Sequence, residues 1–427
     1  MGSKTRYLVL STCLVICGQF AAAQQITYIK AGRLLDVADG RMLTDRIIVV
    51  RGDRIERTGS ASSIDIPADA NVVDLSDATV LPGLIDMHVH LMSDPDAHGY
   101  KSLAASVPRN ALFGAANARR TLTAGFTTVR NVGAGGYADI ALRDAINHGD
   151  VPGPRMRVTG PALGITGGHC DNNLLPPRFE SFAEGVADGP WEIRKQIREN
   201  AKYGADLTKF CATGGVLSKG TSVGKQQYTL QEMATIVAES HQRDRKVAAH
   251  AHGTEGIKAA IEAGVDSVEH ASLIDDEGIR MALDAGTFLV MDIYVSDYIL
   301  EKGEAAGFLP ESLQKELKVG QAQRNSFRRA HEAGVRMAFG SDAGVYPPGM
   351  NARQFAYMVQ YGMTPIEAIQ AATIHAAELL GWPRDVGAIE AGMYADIIAV
   401  KGNPLDDIRV LEDVRFVMKG GEIYRQR

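Results

Sequence analysis

The sequence predicts an α/β chain: a (β/α)8 barrel of the TIM type carrying a small β-sandwich built from both chain ends. Three observations predict it. Residues 78–345 alternate short β-rich runs with longer helical patterns, the texture of parallel βα units. Residues 26–75 hold only strand-like runs between Gly32, Gly40, Gly52 and Gly59, with no helical period. Beyond residue 386 similar β-like runs return, as a domain split across the two ends requires. The expected divisions are a leader over 1–23, the first part of the β-sandwich over 24–77, the barrel over 78–383 and the second part of the β-sandwich over 384–427.

Taken in order, Lys4 and Arg6 precede an apolar run, Tyr7 to Cys17, and then Ala21-Ala22-Ala23. This is the pattern of a signal peptide cleaved after Ala23, so a periplasmic or secreted location is expected. The run is short for a membrane span. A lipoprotein reading at Cys17 meets bulky Ile16, where a small residue is expected. The 427 residues are 45% hydrophobic and 22% charged, enough to bury a large core. A formal charge of −6 gives no reason to expect a nucleic acid or, once the leader is gone, a membrane as partner. Of four cysteines, Cys13 and Cys17 leave with the leader. Cys170 and Cys211 remain, too few for a disulfide scaffold, and whether they pair is left open.

Eight β-rich runs follow the first β region: 79–90, Thr127–Val132, Arg155–Gly160, Asp206–Ala212, Lys246–His252, Ser267–Ala271, Phe288–Ile293 and Arg336–Asp342. Helical patterns lie between them, among them Ala104–Ala124, Trp191–Tyr203, Leu230–Arg243, Thr254–Ala263, Asp276–Ala285 and Ser312–Ala333. An open doubly wound sheet would need a G-x-G-x-x-G loop, and Gly133-Ala-Gly-Gly136 lacks that spacing. After residue 345 come helical stretches Ala352–Tyr361 and Pro365–Leu380.

A barrel places its chemistry at the C-terminal strand ends. His88 and His90 end the first run and share one face, because side chains alternate with period 2. Alone, such a pair is more often a solvated strand face than a metal clip. His250 and His252 end the fifth run, His270 ends the sixth and Asp342 ends the eighth. His88, His90, His250, His270 and Asp342 offer donors for one or two divalent ions. Lys209, inside the fourth run, has two readings. It is a structural lysine beside a carboxylate, or it is carbamylated by CO2 and bridges two ions. Among so many ligand types the bridge is preferred. His169, in the glycine-rich loop Gly164–Cys170, is a candidate for the substrate. So are Tyr228, just before a helix, and His252, one step beyond His250. Arg130 and Lys219 are weaker candidates for a terminal carboxylate. His98, His148, His241, His331 and His375 read as surface or structural.

The motifs Leu81-Pro-Gly-Leu-Ile-Asp-Met-His-Val-His90, Gly125–Arg130, Thr208–Gly215 with Lys209, His250-Ala-His252, Val268-Glu-His270, Gly340–Gly344 and Gly392–Ile397 occur in one order across nearly the whole chain. In this the chain resembles the binuclear, prolidase-like branch of the amidohydrolase superfamily, which includes Xaa-Pro dipeptidase-type and ochratoxinase-type enzymes. The resemblance implies two Zn2+ ions and a carbamate on Lys209. His88 and His90 would hold the inner ion with Asp342, His250 and His270 the outer one. It also implies a homo-oligomer, an octamer being one form. A metal-bridging hydroxide would attack a carbonyl while Asp342 shuttles the proton to the leaving amine. The expected activity is cleavage of an amide bond beside a free carboxylate, in dipeptides, N-acyl amino acids or ochratoxin A. A cyclic-amide or imidazolone hydrolase of the same fold is the alternative. A mononuclear deaminase is disfavoured by Lys209, and a metal-free binding protein by the complete ligand set.

Overall fold

The computed structural model describes Gly2 and residues 25–427. The leader expected over 1–23 lies, apart from Gly2, outside the described residues. The chain is α/β, with strands at both ends. Its strands are β1 (Ile26–Asp36), β2 (Arg41–Arg51), β3 (Arg54–Ser60), β4 (Asn71–Pro82), β5 (Leu84–Val89), β6 (Phe126–Asn131), β7 (Arg155–Val158), β8 (Thr208–Cys211), β9 (Val247–Ala251), β10 (Ser267–His270), β11 (Phe288–Val290), β12 (Ile397–Val400), β13 (Val414–Lys419) and β14 (Glu422–Gln426).

The terminal strands build one seven-stranded sheet in the order β14-β13-β12-β4-β1-β2-β3. Strand β4 joins the two ends: it pairs parallel with β1 on one edge and antiparallel with β12 on the other. This corrects one expectation. The β-domain is a single continuous hydrogen-bonded sheet instead of two, because β4 is central to both halves. Strand β4 itself runs on through Pro82. Gly83 then separates β4 from β5, where a Cβ would collide with the side chain of Thr127 on β6.

The middle strands are parallel. They form a three-stranded sheet, β5-β6-β7, and a four-stranded one, β8-β9-β10-β11. Parallel bridges link Leu163 to Phe210, Leu289 to Met337 and Val89 to Ala343. Strand β5 and strands β8 to β11 are buried along their whole length, as strands covered on both faces must be. The eighth expected strand, 336–342, forms isolated bridges but is bonded through its backbone on both sides: Ala338 N donates to Leu289 O at 3.1 Å and Leu289 N to Arg336 O at 2.9 Å, while Met87 N donates to Phe339 O at 2.8 Å and Asp342 N to His88 O at 2.9 Å. Its end is also held by side chains: Asp86 on β5 accepts from Ser341 N at 3.1 Å, from Ser341 Oγ, and from Asn351 Nδ2 at 2.8 Å.

The helices are α1 (Val107–Thr123), α2 (Ala138–His148), α3 (Gly189–Lys202), α4 (Leu230–His241), α5 (Thr254–Ala263), α6 (Asp276–Ala285), α7 (Val295–Lys302), α8 (Pro310–Glu332), α9 (Arg353–Gln360), α10 (Pro365–Ala371) and α11 (Ile374–Leu380). Each buries one stripe. In α1 the buried set is Gly114, Asn117, Ala118, Thr121 and Leu122, spaced for one helical face. Capping boxes start α4 (Thr229 with Glu232) and α10 (Thr364 with Glu367). Among the described residues no helix is long and apolar enough to cross a membrane.

Candidate functional site

A cavity of about 740 Å³ opens where β5 to β11 end. His88, His90, His169, Lys209, His250, His252, His270 and Asp342 all line it. Of the expected site residues only Tyr228 does not. Its ring is fully buried in the main apolar core, and its hydroxyl donates to Ala187 O at 2.9 Å. Tyr228 is therefore a packing residue. It immediately precedes the N-cap Thr229, and the start of α4 turns it inward. Arg130 is likewise withdrawn, donating to Glu269 Oε1 at 2.7 Å and to Met87 O at 2.6 Å. Lys219 is exposed and donates to the Tyr100 hydroxyl at 2.7 Å. Neither lines the cavity. His98, expected to be structural, does line it, stacked on Phe308 with ring centroids 4.1 Å apart.

The donors gather in overlapping groups. Ligand atoms of His88, His90 and Asp342 lie within 4.8 Å of one another, as do those of His250, His252 and His270, and those of His270, Asp292 and Asp342. Asp342 Oδ1 sits 3.6 Å from His88 Nε2 and 3.5 Å from His90 Nε2. The imidazoles are turned by neighbours that pattern reasoning did not identify. Glu269 Oε2 is 2.9 Å from His88 Nδ1, and Asp292 Oδ1 is 2.8 Å from His270 Nδ1. A carboxylate there requires Nδ1–H and leaves the Nε2 lone pair free for a metal. Glu269 lies 181 residues from His88, beyond any local signal. Asp292 does carry one: it stands one residue before the end of the seventh run, where the expected barrel would keep its chemistry. His169 and His252 differ, since each Nδ1 meets a serine hydroxyl at 2.8 Å, Ser218 and Ser272 respectively.

The electrostatics match neutral imidazoles around an unmet charge. Burial, then the charge of Lys209, holds His90 and His270 down to about 3. Burial likewise holds His88, His169, His250 and His252 well below the ordinary range. Asp342 is raised well above a usual carboxylate, by burial first and by Asp292 next. Asp292 is pushed up to about 7. Burial brings Lys209 down to about 8, opposed by Glu269, Asp342 and Asp292. His250 Nε2 is buried with no hydrogen-bond partner. A buried nitrogen lone pair without a donor is what a metal ion satisfies, so the residues fit divalent metal. The backbone is strained here too: His270, Ala271 and Asp342 hold φ of 69°, 49° and 57°.

The pattern of the amidohydrolase family matches residues 79–424. An ochratoxinase of Aspergillus niger is 34% identical, over 94% of this chain and 87% of its own length. A Xaa-Pro dipeptidase solved with methionine in its active site superposes with a TM-score of 0.87 at 39% identity, covering 94% of this chain and 100% of that one. A prolidase solved with N-methylphosphonate-L-proline superposes with a TM-score of 0.85 at 32% identity, covering 94% of this chain and 100% of that one.

Proposed function

The chain belongs to the amidohydrolase family, and from that premise we propose that it hydrolyses an amide bond beside a free carboxylate. The substrates are dipeptides or N-acyl amino acids, with the amide of ochratoxin A as a further one. The observation that carries the reading is the set of neutral, oriented imidazoles gathered around Asp342 and Lys209 in one cavity. The parallel strands and their linking bridges support a (β/α)8 barrel as the frame.

In this reading His88, His90 and Asp342 hold one divalent ion, zinc first among candidates, and His250 and His270 hold a second. Lys209, as a carbamate, would help to hold both ions: its neutral amine adds to CO2, an N–C bond forms and a proton leaves. A depressed pKa keeps part of Lys209 in the neutral form this needs. The ions, when bound, supply an activated water and polarise the scissile carbonyl. Asp342 takes the proton from that water and later gives it to the leaving nitrogen. A carboxyl group with raised proton affinity suits both halves of that task. His169 and His252, with Nδ1 accepting from serine, present Nε2–H to the substrate's carbonyl or carboxylate.

Cys170 and Cys211 form a disulfide. The bridge and the leader pattern together support an exported protein, periplasmic or secreted. The protein is proposed to assemble as a homo-oligomer, up to an octamer, which light scattering on the purified protein would measure. The deciding experiment is metal analysis followed by assay on dipeptides, N-acyl amino acids and cyclic imides. Two equivalents of metal and release of free amino acids are expected. A metal-loaded protein that opens cyclic imides and leaves open-chain amides intact would reject the reading.

A further inference from the structure

One covalent bond crosses the wall of the cavity, between Cys170 and Cys211, whose Cα atoms are 5.9 Å apart. Cys211 closes β8, two residues after Lys209 and on the same face, and is 2% exposed. Cys170 follows His169 in the loop 159–188, which joins β7 to α3. A loop this long inside a compact domain is uncommon and usually has a function. Its neck closes on itself: Gly164 N donates to Gly185 O at 3.2 Å, and Ala187 N to Gly164 O at 3.0 Å. Past the neck, residues 165–184 run out and back, and His169, Cys170, Asp171, Phe182 and Glu184 line the cavity.

Hydrogen bonds hold this excursion weakly. His169 N donates to Gln227 Oε1 at 3.0 Å, and His169 Nδ1 meets Ser218 Oγ at 2.8 Å. Gln227 and Ser218 themselves stand on a loop, 212–229, between β8 and α4. Glu184 accepts from Gly136 N at 2.6 Å, in the connection between β6 and α2. Each such bond adds little net stability and opens readily. Among the described residues, the disulfide is the bond that ties the excursion to a buried strand. His169 has little room to shift. Its ring stacks on His250, with centroids 4.2 Å apart. Gly215 borders it too, where a Cβ would come within 2.3 Å of His169 Cε1.

We propose that the Cys170–Cys211 bridge positions His169 against the substrate, so that full activity requires the oxidised pair. The two cysteines are positioning residues and touch no substrate. Cys170 pins the residue next to His169, and Cys211 takes the pin from the strand that carries Lys209. Reduction leaves the loop on its hydrogen bonds, and the ring leaves its slot. The proposal deepens the amide-hydrolase reading and rests on it for what His169 contacts.

The test uses the metal-loaded protein and the double variant Cys170→Ala/Cys211→Ala, which brings no free thiol to the metal. Removing the bridge should lower kcat/KM for an N-acyl amino acid about 10- to 100-fold, the range a displacement of about 1 Å brings, with metal content unchanged. In a His169→Ala background the same removal should change kcat/KM by less than about 2-fold, since both changes act through one ring. A water-soluble phosphine should reproduce the loss in the parent protein, and reoxidation should reverse it. In that reduction the phosphine takes the oxygen of one water, its electron pair breaks the S–S bond, and the two protons go to the two sulfurs. Full activity without the bridge, equal losses with and without His169, or a loss that tracks metal content would each overturn the proposal. Hydrogen exchange needs no turnover. Amides of residues 165–184 should exchange at least about 10-fold faster after reduction, while β8 to β11 keep their rates. That result would support the tether even if no amide were cleaved, and unchanged rates would overturn it.

Discussion

Two cavities lie at opposite ends of the same parallel strands, and they are built on opposite principles. The larger, about 850 Å³, sits where β7, β8 and β9 begin and is lined by Arg143, Arg155, Arg157, Arg243 and Arg245. Most of its charges are matched, Arg245 donating to backbone carbonyls instead. Asp206 takes Arg143 at 2.9 Å and Arg157 at 3.2 Å, and Asp396 takes Arg155 at 3.1 Å. The guanidiniums of Arg155 and Arg157 also lie over Tyr394 and Trp382, at 3.5 and 4.3 Å from the ring centres. The smaller cavity, at the strand ends, leaves charges unmatched: a histidine nitrogen with no partner, an acid with raised proton affinity, a lysine with lowered proton affinity. Size does not identify the site; unmet chemistry does. Matched charge at one end stabilises the frame, and unmatched charge at the other is what the proposed metal and substrate would meet.

The contrast can be broken by substitution, and the largest effect should come from the unmatched end. Asp342→Asn should lower kcat at least about 10³-fold, as loss of an acid–base group does, without loss of melting temperature. An unchanged kcat would end the proposed proton path. Glu269→Gln should act on both fronts. It leaves the Arg130 guanidinium buried without its charge partner, at a cost of about 3–5 kcal/mol, and frees His88 to turn. Denaturant titration and metal content should fall together.

Acid should reach the same end of the molecule. Burial is the main cause holding His88, His90, His98, His169, His250, His252, His270 and His375 below their ordinary pKa, and the first seven line the cavity. Below about pH 6.5 the unfolded chain binds protons at these rings and the native chain does not, so stability present above that pH is lost as it falls. Asp86, Asp139, Asp292, Glu316 and Asp342 are shifted upward by burial and act in the opposite sense, but they are fewer. Metal-free protein should therefore lose about 3 kcal/mol between pH 7 and 5, read by denaturant titration at each pH. Bound metal should steepen that loss. The smallest effect belongs to the matched end. Asp206→Asn should cost about 1–2 kcal/mol, from weakened bonds to Arg143, Arg157 and Val158 N, with kcat/KM within twofold of the parent.

Local pattern carried much of this molecule. Period-2 alternation put His88 and His90 on one face, and the ends of the β-rich runs marked His250, His270 and Asp342 before any distance was known. Helices α5 and α6 fall on the expected residues because glycine follows each, Gly264 and Gly286. What local pattern could not carry lies in tertiary contacts. Glu269 reaches His88 across the fold, and Gln323 of α8 reaches Asp292 from a helix. Tyr228 shows the converse error: a polar aromatic near a site in sequence turned into the core because a helix start directed it there. The eighth run reads as a strand by composition, and its backbone bonds to β11 and β5 agree, with side-chain bonds to Asp86 added at its end.

Strand β4 has a consequence for how the protein is made. One of its edges is paired by β1 early in the chain, while the other waits for β12, which begins at residue 397. Immediately after β4 comes β5, with the first two histidines. During synthesis, that open edge has no mate until residues 397–400 have been made. Ribosome pausing or C-terminal clipping ahead of residue 397 would leave it free to pair with another molecule.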